Sequence, residues 1–245
     1  MRSTRTVRLN SFLSKAGIAA RRKCDLLIKQ GLVSVDGTVI QEPGYPVDPD
    51  ENTVSYRNKE IKSGKSRVYV LLNKPKGYIC TLRDERKRPT VADLVHSDRR
   101  LFPVGRLDLS TSGLLMMTDD GELSNRLTHP KYEVDKVYFV ELHKPLKTEH
   151  MERIRKGVDI GDSVPVRAQL KLVGTQGKKA EITVHEGRNR MVRRMFDVLG
   201  YRIKTLDRIG YAGLTKKKLP LGCWRYLSKK EVLMLYKITR LHSGQ

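Results

Sequence analysis

The amino-acid sequence predicts an α+β protein in two parts. A small helix–helix–hairpin domain is followed by a larger domain built on a mixed, mostly antiparallel β-sheet flanked by helices. Three observations carry that expectation. Two amphipathic runs near the amino terminus lead into residues 33–40, which alternate about an Asp36-Gly37 pair, the signal of a two-residue hairpin. Residues 57–67 are polar, basic and glycine-containing, as an interdomain linker would be. From Val68 onward strand-like runs dominate, without the regular strand–helix alternation of a doubly wound sheet. The expected limits are 1–62 for the small domain, 63–67 for the linker and 68–245 for the large domain.

In the small domain, residues 7–17 place Val7, Leu9, Phe12, Leu13 and Ala16 at helical spacing, with Gly17 as the stop. Residues 19–30 predict a second helix with Leu26, Leu27 and Ile28 inward and Gly31 ending it. Lys15, Arg21, Arg22, Lys23 and Lys29 crowd these helices against the single acid Asp25, so few of them can be neutralised in place. In the large domain, residues 68–73 predict a buried strand running into Lys74-Pro75-Lys76-Gly77, and residues 78–82 a second strand. Residues 90–95 predict a short helix, and residues 113–118 a strand turned by Asp119-Asp120-Gly121. Residues 122–128 predict a helix stopped before Pro130, and residues 134–142 an alternating strand. A helix over 148–156 ends at Gly157, and residues 165–173 and 179–185 pair as strands. A helix over 189–199 buries Met191, Val192, Met195, Phe196 and Leu199. The last helix opens at Ser228, where Glu231 completes a capping box.

The chain of 245 residues carries 49 Lys plus Arg against 27 Asp plus Glu, a net charge of +22. Such a field attracts polyanions, and nucleic acid fits it better than a membrane, because no segment approaches spanning length. The basic first residues lead into no apolar signal core, so a cytoplasmic protein is expected. Cys24, Cys80 and Cys223 are far apart and form no C-x-x-C pair, which argues against a disulfide framework or a metal site.

The chemistry centres on one loop. An apolar approach (Leu101, Phe102, Val104) enters Gly105-Arg106-Leu107-Asp108, and Leu114 to Met117 leaves it. A lone loop aspartate is usually an Asx-type turn residue. Here Asp108 stands in a longer pattern with Thr111, Gly113, Leu114, Leu115 and Thr118-Asp119-Asp120-Gly121. That pattern resembles the catalytic motif of the pseudouridine synthases. Within them it resembles the ribosomal branch that includes large-subunit synthase B and its small-subunit relative. Met117 and Asp119 stand where that pattern usually has Leu and Asn. The helix–helix–hairpin order, with Gly17, Arg21-Arg22, Leu27-Ile28, Gly31 and Val33-x-Val35-Asp36-Gly37, resembles the RNA-binding module named after the fourth small-subunit ribosomal protein.

The resemblance implies a pseudouridine synthase fold and isomerisation of uridine in ribosomal RNA, most directly that of the large subunit. No atoms are gained or lost in that reaction, so no cofactor is expected. It implies Asp108 as the catalytic carboxylate, ionised beside a flipped-out nucleotide, as carboxylates serve at sugar carbons in glycosidases. Residues 186–196 resemble the family's third motif, in which Arg193 matches the arginine that pairs with the aspartate through a two-pronged contact. Lys136-Val137-Tyr138 resembles the family's Lys-x-Tyr segment, with Tyr138 stacking on the target base. Arg106 is expected to fill the vacated stack or grip a phosphate. Lys74-Pro75-x-Gly77, like the family's first motif, is expected to pack under the loop. Lys15, Arg21, Arg22 and Lys23 of the module, with Arg188, Arg190 and Arg194, are expected to attract RNA. The expected partner is ribosomal RNA or a pre-ribosomal particle, met by a monomer. The alternatives are a small-subunit enzyme or a non-catalytic assembly factor, which would leave Asp108, Tyr138 and Arg193 in sequence order unexplained. An RNA methyltransferase would need a G-x-G-x-x-G loop that the sequence lacks, and a tRNA synthetase its His-x-Gly-His signature.

Overall fold

Glycines placed just past the apolar runs decide where the first two helices stop. The computed structural model describes residues 6–61 and 67–241, and the chain divides into two compact units, Met1–Arg67 and Val68–Gln245. In the first unit α1 (Leu9–Lys15) ends at Gly17, whose φ of +85° is open to glycine at little cost. Gly17 N–H donates to Ser14 O and Ile18 N–H to Leu13 O, both at 3.1 Å, which satisfies the last carbonyls. α2 (Arg21–Lys29) ends the same way, with Gly31 N–H on Ile28 O and Leu32 N–H on Leu27 O. α2 buries Cys24 and Ile28, four residues apart on one face. Leu26, expected inward, lies about 200° around the helix from both and is 59% exposed.

Val7, expected in the first helix, belongs instead to β1 (Val7–Arg8). The predicted hairpin forms as β2 (Val33–Val35) and β3 (Thr38–Val39), with positive φ at both Asp36 (49°) and Gly37 (81°). β4 (Pro46–Val47) pairs with β1, β5 (Val54–Tyr56) with β2, and β6 (Lys59–Glu60) with β5. β6 corrects the linker reading at its start. Arg57 and Asn58, both at positive φ, turn the chain so that residues 59–60 still belong to the small sheet. Residues 62–66, where most of the expected linker falls, lie outside the described residues.

In the second unit β7 (Tyr69–Lys74) forms as expected. Residues 78–82 do not form a strand: only Ile79 makes a bridge, to Thr90. Residues 90–95 hold one 3-10 turn, Val91–Asp93, closed by a Thr90/Asp93 capping box. β8 (Phe102–Pro103) and β9 (Ser112–Thr118) follow, then α3 (Gly121–Thr128), β10 (Lys136–Leu142), α4 (Thr148–Lys156), β11 (Gln169–Val173) and β12 (Lys179–Val184). α5 (Met191–Val198), β13 (Ile203–Tyr211), β14 (Leu214–Thr215), β15 (Trp224–Tyr226) and α6 (Lys229–Ile238) complete the unit. Among the described residues, nine strands make one sheet with the path β11-β12-β10-β13-β9-β7-β15. β14 pairs with β13 and β8 with β9 off that path. All pairs are antiparallel except β13 with β9.

The centre of this sheet is buried on both faces. On β7 and β9, Leu71, Leu114 and Met116 pack with α3 and α6 residues such as Leu123, Leu127 and Leu235. Their neighbours Val70, Leu72, Leu115 and Met117 pack with Val91, Leu101 and Leu107 in a second cluster. A third cluster joins β10–β12 to α4 and α5 through Val140, Ile154, Ile182, Met195 and Phe196. Tyr138 packs against both the second and the third, at the seam between them.

Asp120, in the expected turn, caps α3. Its Oδ1 accepts Glu122 and Leu123 N–H, and its Oδ2 accepts the Tyr69 and Tyr236 hydroxyls. Ser228 and Glu231 form the expected capping box of α6.

Candidate active site

The loop between β8 and β9 is set by alternation on either side of one buried leucine. Leu107 is 6% exposed, Arg106 is exposed and Asp108 is partly exposed, so the two charged residues face one way and Leu107 the other. No strand is needed for this: residues 106–108 carry no ladder, yet their side chains alternate as the spacing predicts. Thr111 N–H on Asp108 O (3.0 Å) closes the following turn, and Gly77 N–H on Leu109 O (2.8 Å) ties that turn to the end of β7.

Arg106, Asp108, Tyr138, Arg188, Arg190 and Arg193 all line one cleft of about 440 Å³, measured out to its open mouth, with Thr111 and Leu206 beside them. Tyr138 reaches it from β10, where Ile182 and Arg208 are its cross-strand partners. Arg193 reaches it from the first turn of α5, after Arg190 adopts φ +48° to start the helix.

The contact between Arg193 and Asp108 is looser than expected. Arg193 Nε lies 3.9 Å from Asp108 Oδ2, an ion pair but not a hydrogen bond. The fork is turned to the loop instead: Nη2 donates to Ser110 O at 3.0 Å and to Thr111 Oγ1 at 3.3 Å. Arg193 Nε is buried without a hydrogen-bond partner. Burial lowers the pKa of this guanidinium and Arg190 adds to the effect, while Asp108 and Asp197 oppose it. Arg193 therefore holds the loop that carries Asp108 and supplies positive charge beside it.

Two arginines expected to attract RNA are engaged within the protein. Arg194 donates to Asp162 Oδ1 at 2.6 Å and to the Ile160 carbonyl, and Arg188 donates to Asp162, Glu186 and the Val164 carbonyl. They tie residues 160–164 to α5, and Arg194 does not line the cleft. In the first unit Lys15, Arg21, Arg22 and Lys23 are exposed, and the first turn of α2 holds no acid.

Charge also collects behind the loop. Lys74 is fully buried, its Nζ on Pro75 O; burial lowers its pKa, while Cys80 and Asp108 favour the charged form and Arg208 disfavours it. Burial, reinforced by Arg208, pushes Lys136 down to about 8, against the pull of Asp135 and Glu186. Its Nζ donates to the carbonyls of Val134 and His185. Arg208, which the motifs did not single out, is 2% exposed, donates through Nε to Leu114 O at 2.7 Å and lies 4.5 Å from the Tyr211 ring centre. A carboxylate at the wall of an open cleft, with an aromatic ring and several cations around it, can stabilise or attack an electron-poor carbon of an anionic substrate. Among the described residues no cluster of His, Cys, Asp or Glu could hold a metal ion, and no helix is long and apolar enough to cross a membrane.

Residues 68–197 match the RNA pseudouridylate synthase family and residues 7–52 the S4 domain. An uncharacterized RNA pseudouridine synthase of Aquifex aeolicus is 38% identical over 96% of this chain and 96% of the relative. Ribosomal large subunit pseudouridine synthase B of Bacillus subtilis is 38% identical over 93% of this chain and 95% of its own. The crystal structure of a pseudouridylate synthase superposes with a TM-score of 0.68 at 27% identity, covering 94% of this chain and 99% of that one. The fold, the match over the sheet domain and these relatives together show that the chain belongs to the RNA pseudouridine synthase family and carries an S4 domain at its amino terminus.

Proposed function

We propose that this protein isomerises specific uridines of ribosomal RNA to pseudouridine, that the large-subunit RNA is its substrate, and that Asp108 is the catalytic carboxylate. The observation that carries this is the placement of Asp108 at a cleft wall with Arg193 3.9 Å away and Tyr138 and Arg106 lining the same space. The reaction breaks the bond from N1 of uracil to C1′ of ribose, turns the base and joins C5 to C1′; the C5 hydrogen leaves as a proton and N1 takes one up, so no atoms are gained or lost overall. Asp108 meets the electron-poor centre as the first bond breaks. Arg193 keeps the loop in place and balances the carboxylate charge. Tyr138 stacks on the extruded base. Arg106, exposed at the rim, meets the backbone or the vacated stack. The exposed cations of α2 add phosphate contacts that carry no sequence information. The name of the Bacillus relative supports the large subunit.

Incubation of the purified chain with unmodified transcripts of both ribosomal RNAs, without any added cofactor, tests the reading. Pseudouridine is expected at a discrete position of the large-subunit transcript. Conversion confined to the small-subunit transcript would reassign the substrate, and conversion in neither would refute the proposal. Arg193→Lys is expected to slow single-turnover conversion about ten- to hundredfold, because one ammonium cannot serve both the loop carbonyl and the carboxylate. Its RNA affinity should stay within about twofold of wild type, since neither contact involves RNA. An affinity loss as large as the rate loss would make Arg193 an RNA contact.

A further inference from the structure

Cys80 is a buried nucleophile that the reaction above does not use. It is 8% exposed, and its Sγ donates to Leu107 O at 3.3 Å while accepting Leu107 N–H at 3.2 Å. One side chain thus meets both backbone groups of a single residue, the pair of bonds that a neighbouring antiparallel strand would otherwise supply. The setting explains why a side chain is needed. Residues 78–82 make no strand, and Leu107 lies outside every ladder of the sheet. Without Cys80 both backbone groups of Leu107 would be left without these partners in a buried setting, which is costly. Burial pushes the thiol's pKa up, which favours the protonated form that can donate.

Leu107 stands between the two charged residues of the cleft. Its side chain packs in the same cluster as Cys80, Val91, Leu101 and Leu115. Fixing its backbone fixes which way Arg106 and Asp108 point. The opposite side of the loop is held by Arg193 through Ser110 and Thr111, and the next turn by Gly77 through Leu109. We propose that Cys80 is a positioning residue for Asp108, its thiol acting as a two-point clamp on the Leu107 backbone. The inference rests on the catalytic reading of Asp108.

Three variants of the full chain test it: Cys80→Val, which fills the space without polar hydrogens, Cys80→Ser, which keeps a donor and an acceptor, and Cys80→Ala. Cys80→Val is expected to slow single-turnover conversion of the ribosomal RNA transcripts about tenfold at saturating enzyme, with RNA affinity within about twofold. The Leu107 amide should exchange about tenfold faster with solvent deuterium, the size of one ordinary hydrogen bond. Cys80→Ser should recover most of both losses, and Cys80→Ala should resemble Cys80→Val. A Cys80→Val protein with wild-type rate and wild-type Leu107 protection overturns the proposal, and so does a serine variant no better than valine. The amide readout needs no turnover. A wild-type protein that protects Leu107 but converts no uridine would therefore count against the catalytic reading, and so against a positioning role, while leaving the clamp itself intact.

Discussion

Asp108→Asn is expected to abolish uridine isomerisation, lowering the single-turnover rate by about three orders of magnitude or more. The substitution preserves size and shape and removes only the negative charge. The fold should be indifferent to it. The Asp108 turn is closed by its backbone carbonyl on Thr111 N–H, and Leu107 and Leu109 are held through their own backbone groups. RNA affinity should change less than about twofold, or rise, because a negative charge is lost from a surface that meets phosphate. The measurement is conversion at saturating enzyme together with a binding isotherm. An Asn variant with a rate within about tenfold of wild type would move the chemistry to another residue.

Gly113→Ala is expected to produce the largest loss of stability of any single methyl addition in the catalytic domain. β13 and β9 run parallel with Arg208 opposite Gly113, and the backbones approach so closely that a Cβ on Gly113 would lie 2.4 Å from both N and O of Arg208. The φ of +115° adds a conformation that an L residue rarely adopts. Neither strain can relax cheaply, because the obstacle is backbone at the centre of a sheet buried on both faces. A cost on the order of 3–5 kcal/mol is expected, enough to cancel much of a domain's stability. Gly113 is the second residue of β9, the strand that leaves the Asp108 loop, and Arg208 is also the cross-strand neighbour of Tyr138. Loss of that approach would therefore separate Asp108 from Tyr138 as well. Thermal unfolding of the variant reads this directly, and a midpoint within about 2 °C of wild type would contradict the packing described here.

Much of the site was legible because its residues stand in local order. Arg106, Leu107, Asp108 and Arg193 could be named from spacing and resemblance, and the structure gathers them with Tyr138 in one cleft. Helix ends were legible for a local reason too: Gly17 and Gly31 take the positive φ that closes each helix on its own carbonyls. What escaped was non-local. β13 is the longest strand and lies at the centre of the sheet, yet Lys204, Asp207 and Arg208 interrupt its apolar alternation. Its burial still alternates, because Arg208 is a buried residue with a charged name. The pairing of Arg188 and Arg194 with Asp162 was not legible, because that partner lies more than 20 residues away in sequence. The bonds from Cys80 to the backbone of Leu107 were not legible for the same reason, since the two residues lie 27 apart in sequence. Leu26 appeared buried because three consecutive apolar residues cannot say which of them faces the core.

The most direct test of the central claim, that the Asp108 carboxylate drives a cofactor-free isomerisation, is tritium release from RNA labelled at C5 of uridine. Joining C5 to C1′ expels the hydrogen at C5, so each conversion frees one tritium to water, whereas binding or base flipping frees none. With protein and large-subunit RNA transcript alone, wild type is expected to release tritium equal to the pseudouridine formed, and Asp108→Asn to release none above the protein-free control. Full retention of tritium by wild type with both ribosomal RNAs, or release by Asp108→Asn at a rate near wild type, would contradict the account.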